Sequence, residues 1–200
     1  MRHAAGCRYC RQAAQALSPF ALEGRHDTVS PLPAPALEAI HRLRHHASRL
    51  HEGWYRGLLA DGLSEGGYVE LIGVLAPVVA VDEFHRALGL PPAALPQPRP
   101  GQPSRLRPRG ARQDIAWVPT LAPEDVGEDD PDLYAGLGGV NIHRALSLVP
   151  EEVMGFFDID TAQYLPDAAL RDFGREYRSL SHAQIELLAA RVSALNQCVY

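Results

Sequence analysis

The sequence contains no lysine, and all 19 of its basic residues are arginine. Set against 24 acidic residues, they leave a net charge of −5. A chain with this balance lacks the basic surplus that holds nucleic acids or anionic membranes. We therefore expect neither as a main partner.

Long apolar segments are also absent. The longest unbroken apolar run, from Leu71 to Val81, has eleven residues, whereas a membrane-spanning helix needs about 20. Met1–Gly6 is short and polar with no apolar segment behind it, so the sequence predicts no signal peptide. These absences favour a soluble cytoplasmic protein with reduced thiols.

Cysteine is scarce and its number is odd. Of the three cysteines, Cys7 and Cys10 form a C-x-x-C motif, and Cys198 lies near the other end of the sequence. A secreted disulfide scaffold would carry an even set. The motif has several interpretations: a relic or shortened form of a first repeat, a redox pair, or half of a zinc site. Zinc would need two further ligands, and no closely spaced Cys/His pair supplies them convincingly, so we predict no metal and no cofactor.

Some of the nine histidines are candidates for chemistry. His41 and His45 have the i, i+4 spacing of a shared metal, but without an H-E-x-x-H pattern we predict that they and His46 lie on a solvated helix face. His85 and His143 lie in apolar sequence. We expect boundary or core histidines there, with pocket lining as the alternative.

Helical periodicity dominates the chain. Apolar residues recur at steps of three and four from Leu37 to Leu58, which predicts one amphipathic helix ending near Gly62. Ser64 and Gly89 bound a second, largely buried helix that Pro77 should kink. Seven of the 17 prolines fall within 91–110, interspersed with arginine, which is typical of an irregular connector.

Helical signals resume over 134–148, from Pro150, over 166–174 and after a capping box at Ser181–Gln184. We find no strand pattern and predict an all-α fold. We divide the chain into a first helical unit (1–90), a Pro-rich and acidic linker (91–132) and a second helical unit (133–200).

The last helix carries the strongest functional signal. Glu186 precedes Cys198 by twelve residues, with Arg-Val-Ser and Asn between them. This segment resembles the alkylhydroperoxidase D-like branch of the carboxymuconolactone decarboxylase family, in which a helical Glu leads, twelve residues later, into C-x-x-C-x-x-x-H. The likeness is strongest over 180–200 and looser over 63–90.

The resemblance implies a helical bundle of that type that reduces hydroperoxides through a thiol pair. It implies a dithiol donor protein as partner and assembly into homo-oligomers. Cys198 would belong to the redox pair, Glu186 would orient a histidine, and Tyr200 would donate a hydrogen bond. Cys7 and Cys10 would be the corresponding pair of a first repeat. Since twelve residues of straight helix span about 18 Å, the chain must turn near Asn196 to bring Glu186 close to this motif.

The sequence departs from that family after Tyr200, where the second cysteine and the histidine are missing. A naturally inactive remnant, a shortened sequence and a UGA codon for selenocysteine are the three explanations, and our hypothesis is the last. The 200-residue form should be nearly inactive as a peroxidase. Two alternatives stay open: a decarboxylase-like enzyme without redox cysteines, and a non-catalytic helical interaction protein.

Overall fold

The computed structural model describes residues 1–16, 26–28, 30–97, 100–102 and 104–198. Within these ranges the secondary structure is helical, apart from one isolated antiparallel bridge between Arg112 and Thr120. The predicted all-α fold is confirmed. The α-helices are α1 (Arg8–Gln15), α2 (Ala34–His45), α3 (Glu52–Ala60), α4 (Glu65–Ala87), α5 (Asn141–Arg144), α6 (Pro150–Gln163), α7 (Asp167–Leu170) and α8 (His182–Leu195).

Helix α4 forms the centre of the fold and packs against both α2 and α6. It begins where Ser64 caps the backbone amide of Gly67 at 3.0 Å, and Pro77 lies inside it. At Gly73 the side chain of Glu152 approaches so closely that a Cβ there would meet it. The absence of a side chain therefore lets α4 and α6 approach.

The predicted single helix of residues 37–62 is wrong, because it is two helices. Helix α2 ends at His45, and α3 starts after His51, whose Nδ1 accepts the amide of Trp54 at 3.1 Å. A side chain that caps a new N-terminus competes with continuation of the previous helix. After this break, Tyr55 and Leu58 of α3 lie in the core.

The predicted helix of 134–148 is also much shorter, since only α5 forms there. Gly136 and Gly139 adopt φ values of +74° and +64°, which a right-handed helix does not permit. By contrast, α6 begins at Pro150 as predicted, and the Ser181–Gln184 capping box is present in both directions.

The predicted connector contains no helix or strand among its described residues in 91–110. Nor does any helix of the described ranges combine the length and the apolar character that crossing a membrane requires. After the connector of residues 91–110, the chain returns to the core, where Val118 and Leu121 are buried.

Candidate metal centre

Four metal-ligating side chains converge where α1 meets α2. They are Cys7, Cys10, His26 and His41, and one ligand atom from each lies within 4.8 Å of all the others. Both cysteines and His41 are buried, and His26 is partly buried. Among the described residues this is the one group of this composition so closely placed.

The start of α1 positions the two thiols. Cys7 directly precedes the helix and Cys10 lies on its first turn, so the C-x-x-C spacing places both thiols at the helix N-terminus. Asp27 stabilises this end twice: its Oδ2 accepts the amide of Arg8 at 2.9 Å, and its own amide donates to Cys7 Sγ at 3.4 Å. Amide donors at a thiol sulfur favour the thiolate, which is the ligand form.

The two imidazoles face Cys10. Its Sγ lies 3.4 Å from Nδ1 of His26 and 3.4 Å from Nδ1 of His41. In a tetrahedral zinc site, bonds of about 2.3 Å to sulfur and about 2.0 Å to nitrogen place these atoms about 3.5 Å apart. The separations therefore match ligands of one zinc ion.

Glu38 on α2 holds His26 from behind. Its Oε2 lies 2.6 Å from His26 Nε2, while Oε1 accepts from Arg42 Nε at 3.0 Å and from Trp54 Nε1 at 3.1 Å. The hydrogen bond to His26, with help from Arg42, lowers the pKa of Glu38 to about 2 despite its burial. A carboxylate on the outer nitrogen of a histidine orients a ligand for metal through the inner one.

The pKa values of the two thiols shift in opposite directions. Burial raises the pKa of Cys10 to about 12, with the neighbouring Cys7 adding to the effect. Burial also opposes ionisation of Cys7, but amide donors from Cys10 and Asp27 outweigh it and lower its pKa. A cation between the sulfurs would stabilise both as thiolates.

The pKa values of the two histidines also shift in opposite directions. Burial, together with the nearby imidazole of His26, lowers the pKa of His41 to about 4, so its ring is neutral and able to ligate at neutral pH. Burial acts against protonation of His26 as well, but its bond to Glu38 raises its pKa overall. The rings stack with centroids 4.2 Å apart.

Space at the centre is small. The adjacent cavity measures about 50 Å³ and is lined by residues that include His26, Glu38 and Tyr9, but by neither cysteine. Cys7 and Cys10 are 0% and 1% exposed. Among the described residues, both cysteines are therefore shielded from solvent, and the cavity beside His26 is small.

Cys7 and Cys10 were candidates from the sequence, with half of a zinc site as one interpretation, although no metal was predicted. The prediction that His41 lies on a solvated face is wrong, because the residue is 2% exposed and packs against α1. His26 was not among the predicted ligands. One signal was available: Glu38 precedes His41 by three residues on one face of α2, so a carboxylate and an imidazole point the same way.

Glu186 lies on α8 close to Tyr164 and His182. Its Oε1 accepts from the Tyr164 hydroxyl at 2.6 Å and lies 3.5 Å from His182 Nε2. The helix from Glu186 to Leu195 rises about 13 Å, so the carboxylate lies well away from Cys198. Helix α8 ends at Leu195 with Asn196 as its C-cap, Gln197 has φ +54°, and Cys198 is exposed. Tyr200 falls outside the described residues.

His85 and His143 complete the predicted set. His85 is partly exposed, and its Nδ1 lies 2.7 Å from the carbonyl oxygen of Pro91. His143 is 3% exposed and lines an apolar cavity, as the alternative interpretation held.

Comparison with known proteins adds no assignment. The chain matches no protein-family model, no curated protein and no solved structure. The functional inference therefore depends on the geometry of the site alone.

Proposed function

We propose that this chain is a zinc-binding protein whose centre consists of Cys7, Cys10, His26 and His41. The observation that carries the proposal is the convergence of their four ligand atoms within 4.8 Å. Two sulfurs and two imidazole nitrogens form a donor set that favours zinc in tetrahedral geometry. Hard cations such as Mg²⁺ and Ca²⁺ require oxygen ligands, which this set lacks.

The role we propose for the metal is structural. A catalytic zinc keeps one coordination position for water or substrate, whereas four protein ligands close the shell. The burial of both thiols and the narrow adjacent cavity are consistent with a closed shell. Such sites contribute binding energy directly to folding.

The part of the chain that the metal would stabilise is the N-terminal segment. Helix α1 has eight residues, of which only Cys10 is buried. Isolated helices of this length are marginal in water. Bonds from Cys7 and Cys10 to a metal shared with His41 would therefore fasten α1 to α2. A compartment with reduced thiols, such as the cytoplasm, suits such a centre.

Metal analysis of the purified, untagged chain and its variants tests the proposal. We expect one zinc per wild-type chain, and at most a small fraction of that in Cys10→Ser and His41→Gln. Matched controls are Cys198→Ser and His3→Asn, since both side chains are exposed and lie outside the centre. Both controls should retain one zinc.

Replacement of zinc by Co²⁺ gives a readout of the ligands themselves. In wild type we expect visible Co²⁺ absorption bands with the intensity of tetrahedral coordination. We also expect charge-transfer bands from the thiolates to Co²⁺. Substoichiometric zinc in wild type, or equal zinc in wild type and Cys10→Ser, would contradict the proposal.

A thiol-dependent peroxidase is the second candidate, favoured by one observation. Cys10, His26 and Glu38 form a thiol–imidazole–carboxylate chain with separations of 3.4 Å and 2.6 Å. These are the group types that the resemblance assigns to hydroperoxide reduction with a dithiol donor. In that reaction a thiolate attacks one oxygen of the hydroperoxide, the O–O bond breaks, and the alcohol leaves with a proton. The sulfenic acid that forms condenses with the second thiol to a disulfide with loss of water, and the dithiol donor reduces this disulfide while it is itself oxidised to a disulfide.

Turnover of hydroperoxide with a dithiol donor separates the two candidates. The peroxidase requires saturable consumption that Cys10→Ser abolishes and that zinc suppresses. Unchanged hydroperoxide consumption in Cys10→Ser would refute a role for Cys7 and Cys10 in the reaction. Loss of consumption in Cys198→Ser alone would instead place the reaction at Cys198, after α8.

A further inference from the structure

Helix α8 is apolar on most of its sides but is scarcely covered by the rest of the fold. Nine of its 14 residues are apolar, yet His182 is the one residue of this helix that is buried. Four of its large apolar side chains are between 58% and 69% exposed, namely Leu187, Leu188, Val192 and Leu195. Helices that are apolar all round are normally buried, so this exposure requires an explanation.

The apolar side chains of α8 form a regular seam. Ile185, Leu188, Val192 and Leu195 recur at steps of three, four and three, which is the spacing at which two helices pack side by side. Ile185 is partly buried, and the other three are exposed. The seam is therefore open to a second helix over most of its length.

An apolar cleft of about 380 Å³ adjoins the seam. It is lined by Ile185, Leu188 and Val192 of α8 and, outside this helix, by residues that include Leu180 and Tyr164. Leu180 is itself 47% exposed. Apolar side chains of a second helix would therefore find apolar surface beyond α8 itself.

The charges around the seam narrow the class of partner. Arg191 is the one charged residue on the exposed side of α8, since Glu186 is partly buried and bonded to Tyr164. Arg178 at the cleft already donates to the carbonyl oxygens of Ala162 and Tyr164. Helices that lie on membranes have a polar face rich in basic residues, which α8 lacks. A nearly uncharged apolar seam is complementary to a copy of itself, as a two-fold interface requires.

The exposed side of α8 is large enough for a weak dimer. A helix of 14 residues is about 21 Å long. Half the solvent-accessible surface of a helix of this length and about 10 Å diameter is about 450–500 Å². Two copies would therefore bury about 1,000 Å² together, which is the lower bound for a specific interface and the range of weak complexes.

We propose that two copies of this chain associate through α8, so that the seam of Ile185, Leu188, Val192 and Leu195 in one copy packs against the same seam in the other. The proposal depends on none of the residues of the metal centre. It therefore holds or fails independently of zinc.

Sedimentation equilibrium of the purified, untagged chain tests the proposal, in a reducing buffer so that Cys198 cannot link two copies. We expect a reversible equilibrium between the 21.8 kDa chain and its dimer. For an interface of this size, the dissociation constant should be on the order of 10 μM. A chain that stays monomeric at about 100 μM, ten times that value, would overturn the proposal.

Two variants place a charge in the seam. Leu188→Glu and, independently, Leu195→Glu should each weaken the dimer at least about tenfold, because the carboxylate would be buried without a partner. Both side chains are exposed in the single chain, so neither change disturbs its core. Circular dichroism should show the helix content of wild type in both.

Leu88→Glu is the matched control. Leu88 follows α4 and is 58% exposed, as Leu188 is. The control should leave the dissociation constant within twofold of wild type. A dimer that is unchanged in both seam variants, or that is weakened as much by Leu88→Glu, would refute the proposed interface.

Vesicles of phosphatidylcholine, with and without phosphatidylglycerol, test the other way of covering α8. We expect no sedimentation of the wild-type chain with either kind of vesicle. Sedimentation of wild type, together with its loss in Leu188→Glu, would assign this face to a lipid surface and overturn the proposal.

Discussion

Replacement of Glu38 by Gln tests the metal centre at its supporting residue rather than at a ligand. The amide keeps the shape of the side chain, and its oxygen still accepts from His26 Nε2, now 2.6 Å from the carboxylate. What the change removes is the negative charge. A hydrogen bond to a charged group is worth about 1.5–3 kcal/mol against about 0.5–1.5 for a neutral pair.

The difference, about 1–1.5 kcal/mol, corresponds to about a tenfold loss of zinc affinity. It agrees with the range of about 10- to 100-fold found when residues behind a metal ligand are changed. Competition with a chromophoric chelator measures the dissociation constant. We expect Glu38→Gln to bind zinc about tenfold more weakly with unchanged stoichiometry.

Two controls isolate the charge on His26. Glu52→Gln removes a carboxylate that pairs with Arg56 on the surface of α3, and it should leave zinc affinity within twofold. Arg42→Gln removes a partner of Glu38 whose guanidinium bonds to Oε1, not to the Oε2 that faces His26. If Arg42→Gln weakened binding as much as Glu38→Gln, or if Glu38→Gln stayed within twofold of wild type, the reasoning about the ligand's outer hydrogen bond would be refuted.

Three further changes test the packing of the fold by urea unfolding. Ser147→Ala leaves the buried amide of Leu121, now 2.7 Å from Ser147 Oγ, without its acceptor, and should cost about 1–3 kcal/mol. A decrease in the free energy of unfolding of less than about 0.5 kcal/mol would contradict the hydrogen bond between Leu121 and Ser147. Gly73→Ala drives a methyl group into Glu152 and should lower the free energy of unfolding by about 1–3 kcal/mol, despite the better helix propensity of alanine. A stabilised variant would show that α4 and α6 are farther apart at this point than the structure places them. Ser181→Ala removes the cap of α8 and should cost about 1 kcal/mol, with Ser181→Thr as the matched variant that retains most of it.

The local signals in the sequence predict the helix boundaries well where a cap is present. Ser64, Pro150 and Ser181 all begin helices in the structure. The break near His51 was missed because histidine is not among the usual capping residues, and its role depends on a ring nitrogen that reaches the amide of Trp54.

The metal centre was only half predictable for a different reason. Cys7 and Cys10 are adjacent on one turn, so their spacing is informative by itself. His41 reaches Cys10, which lies 31 positions earlier in the chain, through the packing of α2 on α1. His26 reaches it from the non-helical segment between these two helices. A periodic pattern in one helix does not reveal which of its faces another helix covers. The polar sequence around His41 therefore predicted exposure where the fold provides burial.

The thiol pair inferred near α8 stays a prediction of the sequence. The structure gives Glu186 a hydrogen bond from Tyr164, which the sequence did not indicate. Helix α8 ends at Leu195, with Asn196 as its C-cap, and the antiparallel helix expected after it lies outside the described residues.

The zinc K-edge X-ray absorption spectrum of the purified full chain tests the central claim most directly. The account predicts a first shell of two sulfur atoms at about 2.3 Å and two nitrogen atoms at about 2.0 Å, with the outer-ring scattering of two imidazoles. A shell of oxygen and nitrogen alone, or one with a single sulfur, would contradict it.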